Sequence, residues 1–153
     1  MVRLEADPID PGALLDGFCR DRRDVGGVVS FTGLTRGRTD GAEVAGLSLD
    51  AYPGYTEKVM AGLEAETRTR FAVIDVLVAH RWGDLAVGEP IIFVAVAASH
   101  RRVAFEAADF LMDQLKTRAP FWKKETGPDG ERWIEARAQD HADAARWTAG
   151  ETT

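Results

Sequence analysis

The sequence predicts an α+β fold with a mixed, mainly antiparallel sheet and two principal helices. Two apolar, β-branched runs, FAVIDVLVAHRWG and PIIFVAVAAS, are separated by a polar turn from Asp84 to Glu89, which indicates an antiparallel pair of strands. Two longer segments, Pro53 to Arg70 and Ser99 to about Arg118, have helical character. The sequence has no G-x-G-x-x-G or P-loop motif, which argues against a doubly wound nucleotide-binding fold.

The N-terminal third predicts strands on either side of a glycine-rich loop. Two prolines indicate an extended start, and a short helix follows from Ala13 to Arg22. GGVVSFTG, from Gly26 to Gly33, is β-branched and bounded by glycines, which is typical of a strand. A polar loop from Leu34 to Gly41 comes next, and the alternating segment Val44 to Tyr52 predicts a half-buried strand.

The C-terminal half carries the helix and hairpin signals. Thr56 is the expected N-cap of the first long helix. The second long helix has an apolar stripe that includes Ala104 and Leu111, and Pro120 ends it. A Pro-Asp-Gly turn between FWKKE and ERWIEA predicts a hairpin. Residues 138–153 are polar and alanine-rich, so a weak helix or a frayed tail is expected.

Composition predicts a soluble cytoplasmic protein with an anionic ligand or an acidic partner. No apolar run approaches the roughly 20 residues that span a bilayer, and nothing resembles an export signal. The single cysteine, Cys19, fits a reducing compartment. A net charge of −6 argues against general binding to nucleic acid or membranes. Local cationic clusters nevertheless favour a small anion or an acidic protein.

Ser99, His100 and Arg101 lie where a predicted strand passes into a helix. Free backbone N–H groups, the positive end of the helix dipole and two cationic side chains together suit a phosphate. The alternative is a serine N-cap followed by solvated arginines, with His100 a core or capping residue.

Lys116 and Lys123 lie on either side of Ala119 and Pro120, where the second long helix is predicted to end. A lysine that is partly desolvated or close to other cations has a lowered pKa and can act as a general acid or base, or as a nucleophile. The alternative is a solvated basic helix end, which the helix dipole favours. The predicted hairpin weakens that alternative, because it places Lys123 on a rigid strand.

A single copy of the chain does not bring both cationic clusters to one small ligand. His100 and Lys116 are sixteen residues apart in sequence. Along a straight helix this separation is roughly 24 Å. If both clusters serve one site, that site joins two subunits, so a dimer with composite pockets is a conditional prediction.

Three further candidates are weaker. Arg36, in the glycine-rich loop, would clamp a phosphate bidentately or would simply be exposed. Cys19 has neither a CxxC partner nor a local base and is predicted to be a packing residue. Asp75, His80 and Asp84 do not have the spacing of metal ligands, so no metal is expected.

Together the motifs resemble the large subunit of molybdopterin synthase. FTGLTRG, LDAYPGYTEK, AHRWGDLAVGE, SHRRVAFEAADFLMDQLKTRAPFWKKE and DGERWIEA occur in the order of that family and at about its spacing. The resemblance covers about Gly26 to Arg137, the expected core of one domain over residues 1–153, and is most specific from Ser99 to Glu125. It implies an α/β-hammerhead-type fold.

The resemblance also implies an assembly and a reaction. A homodimer of this chain would bind two small ubiquitin-like sulfur-carrier proteins and form a heterotetramer. The carrier's C-terminal Gly-Gly thiocarboxylate would enter the pocket, and two sulfurs would pass to cyclic pyranopterin monophosphate to form the dithiolene of molybdopterin. No cofactor besides this substrate is implied, and no catalytic cysteine is needed.

Matched to the family's motifs, Lys116 and Lys123 would be the catalytic residues. Seven residues would line the substrate pocket: Leu34, Thr35, Arg36, His100, Arg101, Lys124 and Glu125. Lys116 is assigned to activating the thiocarboxylate. Lys123 is assigned to proton transfer at the pterin side chain or to opening the cyclic phosphate, and the roles of the two lysines are exchangeable. Two alternatives remain: a non-catalytic dimer that binds a ubiquitin-like tail, and a small RNA- or nucleotide-binding domain, which the net charge disfavours.

Overall fold

The computed structural model describes residues 1–148, in which ten strands and four helices form an α+β fold. The strands are β1 (Val2–Glu5), β2 (Gly27–Leu34), β3 (Arg38–Thr39), β4 (Ala42–Glu43), β5 (Gly46–Asp50), β6 (Val73–Arg81), β7 (Gly83–Ala86), β8 (Pro90–Ala98), β9 (Trp122–Gly127) and β10 (Gly130–Ile134). The helices are α1 (Pro11–Cys19), α2 (Tyr55–Arg70), α3 (Arg101–Arg118) and α4 (Ala138–Ala145). The predicted fold class is confirmed, with α2 and α3 as the two long helices.

The first sheet has the strand order β1-β6-β8-β2, and its only parallel pair among the described residues is β1 with β6. The central strands β6 and β8 are buried over most of their length because helices cover both faces. One face packs against α2 and α3, with Leu63, Val94 and Leu111 in its core. The other packs against α1 through Phe18 and Phe93.

The second sheet has the order β10-β9-β5-β7, and every pairing in it is antiparallel. The hairpin predicted around the Pro-Asp-Gly turn is confirmed as β9 and β10. The segment from Asp84 to Glu89 is not wholly a turn, because its first part forms β7 against β5. The predicted loop from Leu34 to Gly41 likewise contains β3, which pairs with β4.

The start of α2 differs from the sequence prediction. Gly54, at φ 87°, is the N-cap, and its backbone N–H donates to the Glu57 carboxylate at 3.1 Å. Thr56 lies inside the first turn and is buried. Its hydroxyl accepts from the N–H of Tyr52 at 3.0 Å and donates to the carbonyl of Pro120 at 3.3 Å. Thr56 therefore ties α2 to the segment that connects α3 with β9.

The C-terminal segment is an anchored helix as far as the structure describes it. After α4, Arg146 forms ion pairs with Asp109 and Asp113 of α3 at 2.6 and 2.8 Å. The indole N–H of Trp147 donates to Asp113 at 2.7 Å, and its ring packs edge-on against Phe110. Of the two alternatives predicted for this segment, a weak helix and a frayed tail, the helix is confirmed over Ala138–Ala145, and residues 149–153 lie outside the described residues.

A substitution at Leu111 tests how the core beneath α3 is packed. Its side chain is fully buried between α3 and the first sheet. We expect Leu111→Ala to lower the free energy of unfolding by about 2–5 kcal/mol, because it removes buried methyl groups and leaves a cavity. Urea unfolding followed by circular dichroism measures this loss, and a change below about 1 kcal/mol would contradict the assigned packing.

Candidate functional site

The candidate site lies at one end of the first sheet. Ile92 of β8 pairs with His80 of β6 on one side and with Gly33 of β2 on the other, so these three residues form a row across the sheet. Helix α3 follows β8 and packs back along it, which returns Lys116 to the same end. His100, which precedes α3, lies at the opposite end.

Lys123 is the cation with the most unusual environment in this region. Burial lowers the pKa of its ammonium group, and repulsion from Lys116 lowers it further. Asp140, in the first turn of α4, acts in the opposite direction. Lys116 itself is exposed. One desolvated lysine and one exposed lysine thus share a site, which gives Lys123 an increased fraction of free amine at neutral pH.

The backbone holds Lys123 rigidly, as the sequence predicted. On β9 it pairs with Leu49 of β5 and with Ile134 of β10, so both neighbouring strands fix its position. The preceding Pro120 is held by the Thr56 hydroxyl. These contacts set the separation between Lys123 on β9 and the end of α3.

His80 lies beneath the lysine pair. It is buried, and its ring stacks on Phe121 with 3.9 Å between centroids and 16° between planes. Burial lowers the pKa of His80 to about 4 against a raising contribution from its bond to Arg81, and the charges of Lys123 and Lys116 lower it further. Nδ1 lies 2.7 Å from the carbonyl of Arg81; because a carbonyl only accepts, Nδ1 carries the proton. His80 is therefore a neutral histidine near neutral pH.

Lys124 and Glu125 follow Lys123 but differ from it in their contacts. Lys124 pairs with Glu131 at 3.3 Å and lies 5.5 Å from the ring centroid of Trp133. Adjacent residues on a strand point to opposite faces, so the structure does not bring Lys124 together with Lys123 in one chain. Glu125 accepts from the Thr39 hydroxyl at 2.7 Å, and a second partner, Arg132, donates to it at 3.2 Å.

Leu34, Thr35 and Arg36 lie at the end of β2, next to the row that contains His80. Leu34 and Arg36 are exposed. Thr35 is buried, and its backbone pairs with the turn before β8: its N–H donates to the carbonyl of Glu89 at 2.9 Å, and its carbonyl accepts from the N–H of Gly88 at 2.8 Å. The three residues thus form a fixed corner beside the lysines.

His100 and Arg101 begin α3 and are exposed. His100 is the N-cap residue, as one alternative had it, although its side chain makes no hydrogen bond to the helix; the serine N-cap, given as another alternative, is not formed. Fifteen residues separate Arg101 from Lys116, which is about 23 Å along the helix. Within one chain, the structure keeps this cationic cluster apart from the lysine pair.

Two residues near the lysines were missed by the sequence interpretation. His80 was considered only as a metal ligand, and Asp140 fell in a segment expected to be a weak helix or a frayed tail. Over residues 1–148, no three His, Cys, Asp or Glu side chains cluster in a way that could hold a metal ion. Cys19, expected to be a packing residue, is exposed at the end of α1.

His80 predicts a specific loss of stability in acid. The pKa of His80 is 6.5 in the unfolded chain and about 4 in the folded chain. The free energy of unfolding therefore contains the full contribution of the neutral ring above pH 6.5, and this contribution is lost as the pH falls towards 4. We expect this fall to be smaller in His80→Gln, by roughly 3 kcal/mol between pH 7 and 4. Equal falls in both proteins, measured by urea unfolding, would contradict the buried neutral histidine.

Fold and site together define a small α+β protein in which one desolvated and one exposed lysine share a site at the end of a sheet. Such a pair suits proton transfer and the stabilisation of negative charge. A family model described as MoaE protein matches residues 4–118. The chain therefore belongs to the MoaE protein family.

Relatives of known name agree with this assignment. The chain is 51% identical, over 96% of its length and 97% of the relative, to the molybdopterin synthase catalytic subunit of Caulobacter vibrioides. The solved structure of the molybdopterin biosynthesis MoaE protein from Burkholderia ambifaria matches with a TM-score of 0.81 and 42% identity, over 97% of each chain. Molybdopterin synthase from Staphylococcus aureus matches with a TM-score of 0.78 and 29% identity, over 86% of this chain and 95% of that one.

Proposed function

We propose that this chain is the catalytic subunit of a molybdopterin synthase and acts as a sulfurtransferase. It transfers two sulfurs from the thiocarboxylated C-terminus of a small ubiquitin-like carrier to cyclic pyranopterin monophosphate. The dithiolene of molybdopterin is formed, and two charged carriers are consumed per product. The observation that carries the proposal is the pairing of Lys116 with a desolvated Lys123, in a chain of this family.

Lys123 is the proton-transfer residue in this proposal. Its lowered pKa increases the fraction of free amine, which a general base needs. Its backbone is held between two strands and its side chain is half-buried, which restricts the positions open to the amine. His80 stays neutral and adds no third charge to the pair. Sulfur arrives on the carrier, so the exposed Cys19 has no part in the chemistry.

Lys116 is the electrostatic partner. Its exposed ammonium group is accessible to the carrier's terminal thiocarboxylate and to the charge that develops at the acyl carbon. Leu34, Thr35 and Arg36 lie at the same end of the sheet, where they would line the substrate pocket. Arg36 is exposed and would bind the substrate's phosphate bidentately.

His100 and Arg101 complete the pocket from a second copy of the chain. The N–H groups of the first turn of α3 receive no side-chain cap, which leaves them available to a phosphate. The 23 Å along α3 requires these residues to come from the other subunit of a homodimer. With one carrier on each subunit, the assembly is a heterotetramer. Glu125 would border the pocket from the hairpin, on the same face of β9 as Lys123.

Other expectations accompany the proposal. No metal or cofactor of the chain's own is invoked. No helix in residues 1–148 is both long and apolar enough to cross a membrane. A cytoplasmic location, expected from the sequence, stays a prediction.

Reconstitution tests the proposal. The purified chain is mixed with cyclic pyranopterin monophosphate and a thiocarboxylated carrier, and molybdopterin is detected by fluorescence of its oxidised form. We expect one product for every two carriers consumed. If the carrier binds but no product forms, the chain is instead a non-catalytic module that holds a ubiquitin-like tail.

A further inference from the structure

Arg81, the last residue of β6, is a buried arginine whose charge is only partly matched. Its side chain is 5% exposed. Nη2 donates to the carbonyl of Asp84 at 3.3 Å, and Nη1 lies 4.0 Å from Oε1 of Glu89. Within residues 1–148, Nε and Nη1 have no hydrogen-bond partner. A buried polar group without a partner costs free energy, so the presence of this arginine calls for an explanation.

Stability alone does not account for Arg81. Replacing a buried, incompletely paired ion by an apolar side chain of similar volume is often neutral or stabilising. Such exceptions to good packing are expected mainly where function requires them. His80 faces the lysines, and adjacent residues of a strand point to opposite faces, so Arg81 points to the α1 side of the sheet. Arg81 therefore acts on the site through the segments that it contacts.

The guanidinium group of Arg81 spans the segment from Asp84 to Glu89. It contacts a carbonyl at the start of this segment and the carboxylate at its end. The second oxygen of that carboxylate accepts from the N–H of Ala86 at 2.6 Å, inside the same segment. Arg81 thus holds both ends of the segment that leads from β7 into β8.

The segment in turn holds the corner formed by residues 34–36. The N–H of Thr35 donates to the carbonyl of Glu89 at 2.9 Å, and the N–H of Gly88 donates to the carbonyl of Thr35 at 2.8 Å. The hydroxyl of Thr35 is buried but has no hydrogen-bond partner in the described part of the chain. The attachment of Thr35 therefore depends on these two backbone bonds, and the exposed Arg36 follows it directly.

The backbone of Arg81 also reaches the lysine side of the site. Its carbonyl accepts from Nδ1 of His80 at 2.7 Å. The ring of His80 stacks on Phe121 beneath the lysines. One residue thus connects the corner of residues 34–36 with the histidine on the other face of the sheet.

We propose that Arg81 is a positioning residue for the substrate pocket. Its guanidinium group clamps the segment from Asp84 to Glu89, and this segment fixes the corner of residues 34–36. Through that corner, Arg81 sets the position of Arg36, which would bind the substrate's phosphate. The inference rests on the proposed function for the role of Arg36, whereas the clamp is a property of the chain alone.

Amide hydrogen exchange followed by NMR tests the clamp without any ligand. Arg81→Met removes the guanidinium group and keeps an unbranched apolar side chain. We expect the N–H groups of Thr35 and Gly88 to exchange about tenfold faster than in the wild type, because the segment that pairs with this corner opens locally. The N–H of Val94, in the centre of β8, is expected to keep its rate.

Arg22→Met is the matched control. Arg22 lies on the same α1 side of the sheet, where it donates to Asp75 at 2.5 Å near the opposite end of β6. Exchange at Thr35 and Gly88 is expected to stay at the wild-type rate in this variant. Equal acceleration in the two arginine variants would overturn the proposal, as would faster exchange at Val94 that matches the change at Thr35, because the effect would then be general.

A second variant keeps the test decisive if Arg81→Met does not fold. Glu89→Gln preserves the shape of the side chain and an oxygen for the N–H of Ala86, but it removes the charge that faces Arg81. We expect the same amides to exchange faster, by a smaller factor. Unchanged exchange at Thr35 in Glu89→Gln would overturn the clamp.

Binding of cyclic pyranopterin monophosphate, measured by calorimetry, links the clamp to the pocket. Arg81→Met is expected to weaken binding about tenfold, as the loss of a hydrogen bond to a charged group does. In an Arg36→Ala background the same substitution should cause little further loss, because Arg81 acts through Arg36. Losses that simply add would overturn the proposed route from the clamp to the substrate.

The outcomes separate the clamp from the proposed function. Unchanged exchange at the corner would overturn the clamp, whatever the activity. Faster exchange at the corner, in a protein whose wild type neither binds the pterin nor forms molybdopterin, would support the clamp and count against the sulfur-transfer function alone.

Discussion

Lys123→Ala is expected to lower the rate of molybdopterin formation by about two to four orders of magnitude, which is the usual contribution of a general acid or base. The side chain is desolvated and repelled by Lys116, so its removal takes a costly charge out of the protein and leaves the fold intact. Lys123→Arg is expected to be equally inactive, because a guanidinium stays protonated and cannot accept a proton. Single-turnover assays with saturating carrier measure both rates.

The control for this prediction is Lys58→Ala, which removes an exposed lysine from α2. It should retain the wild-type rate. The pH profile adds a second readout, since wild-type activity is expected to rise with pH as Lys123 loses its proton. If Lys123→Arg turns over at a near-normal rate, proton transfer by this residue is ruled out.

Lys116→Ala is expected to lower the rate by about two to three orders of magnitude, as removal of a charge-stabilising group does in other active sites. The same substitution is expected to change the pKa of Lys123. Because the charge of Lys116 lowers the pKa of Lys123, its removal raises that pKa. The rising limb of the residual activity should therefore move to higher pH, and NMR titration of the Lys123 side chain should show the same shift.

Two results would count against this account of Lys116. A near-normal rate in Lys116→Ala would remove it from the mechanism. An unchanged pKa of Lys123 in that variant would show that the two lysines do not interact, and the assignment of one electrostatic and one proton-transfer role would lose its basis.

Much of the fold was predictable because its signals are local. The strands β6, β8 and β2 are apolar runs bounded by turns, and α3 begins and ends close to the predicted residues. Thr56 was misplaced because its hydroxyl is used in a contact with Pro120, which lies 64 residues away. Strand β7 was missed because its pairing with β5 depends on a distant segment.

The candidate site was predictable only in part, for a similar reason. Lys116 and Lys123 were found from the motif, and the structure places them in one electrostatic environment. The role of His80 depends on stacking against Phe121, 41 residues away, and a local pattern does not contain that contact. The placement of Lys124 away from Lys123 could have been predicted from the sequence, because adjacent residues of a strand such as β9 point to opposite faces.

The most direct test of the account mixes two inactive variants, Arg101→Ala and Lys116→Ala. If each pocket takes its lysines from one chain and Arg101 from the other, half of the randomly mixed dimers contain one intact pocket, and activity recovers to about a quarter of wild type. Lys116→Ala mixed with Lys123→Ala should not recover, because both lysines come from one chain. No recovery with Arg101→Ala, in dimers shown to exchange subunits, would contradict the composite pocket.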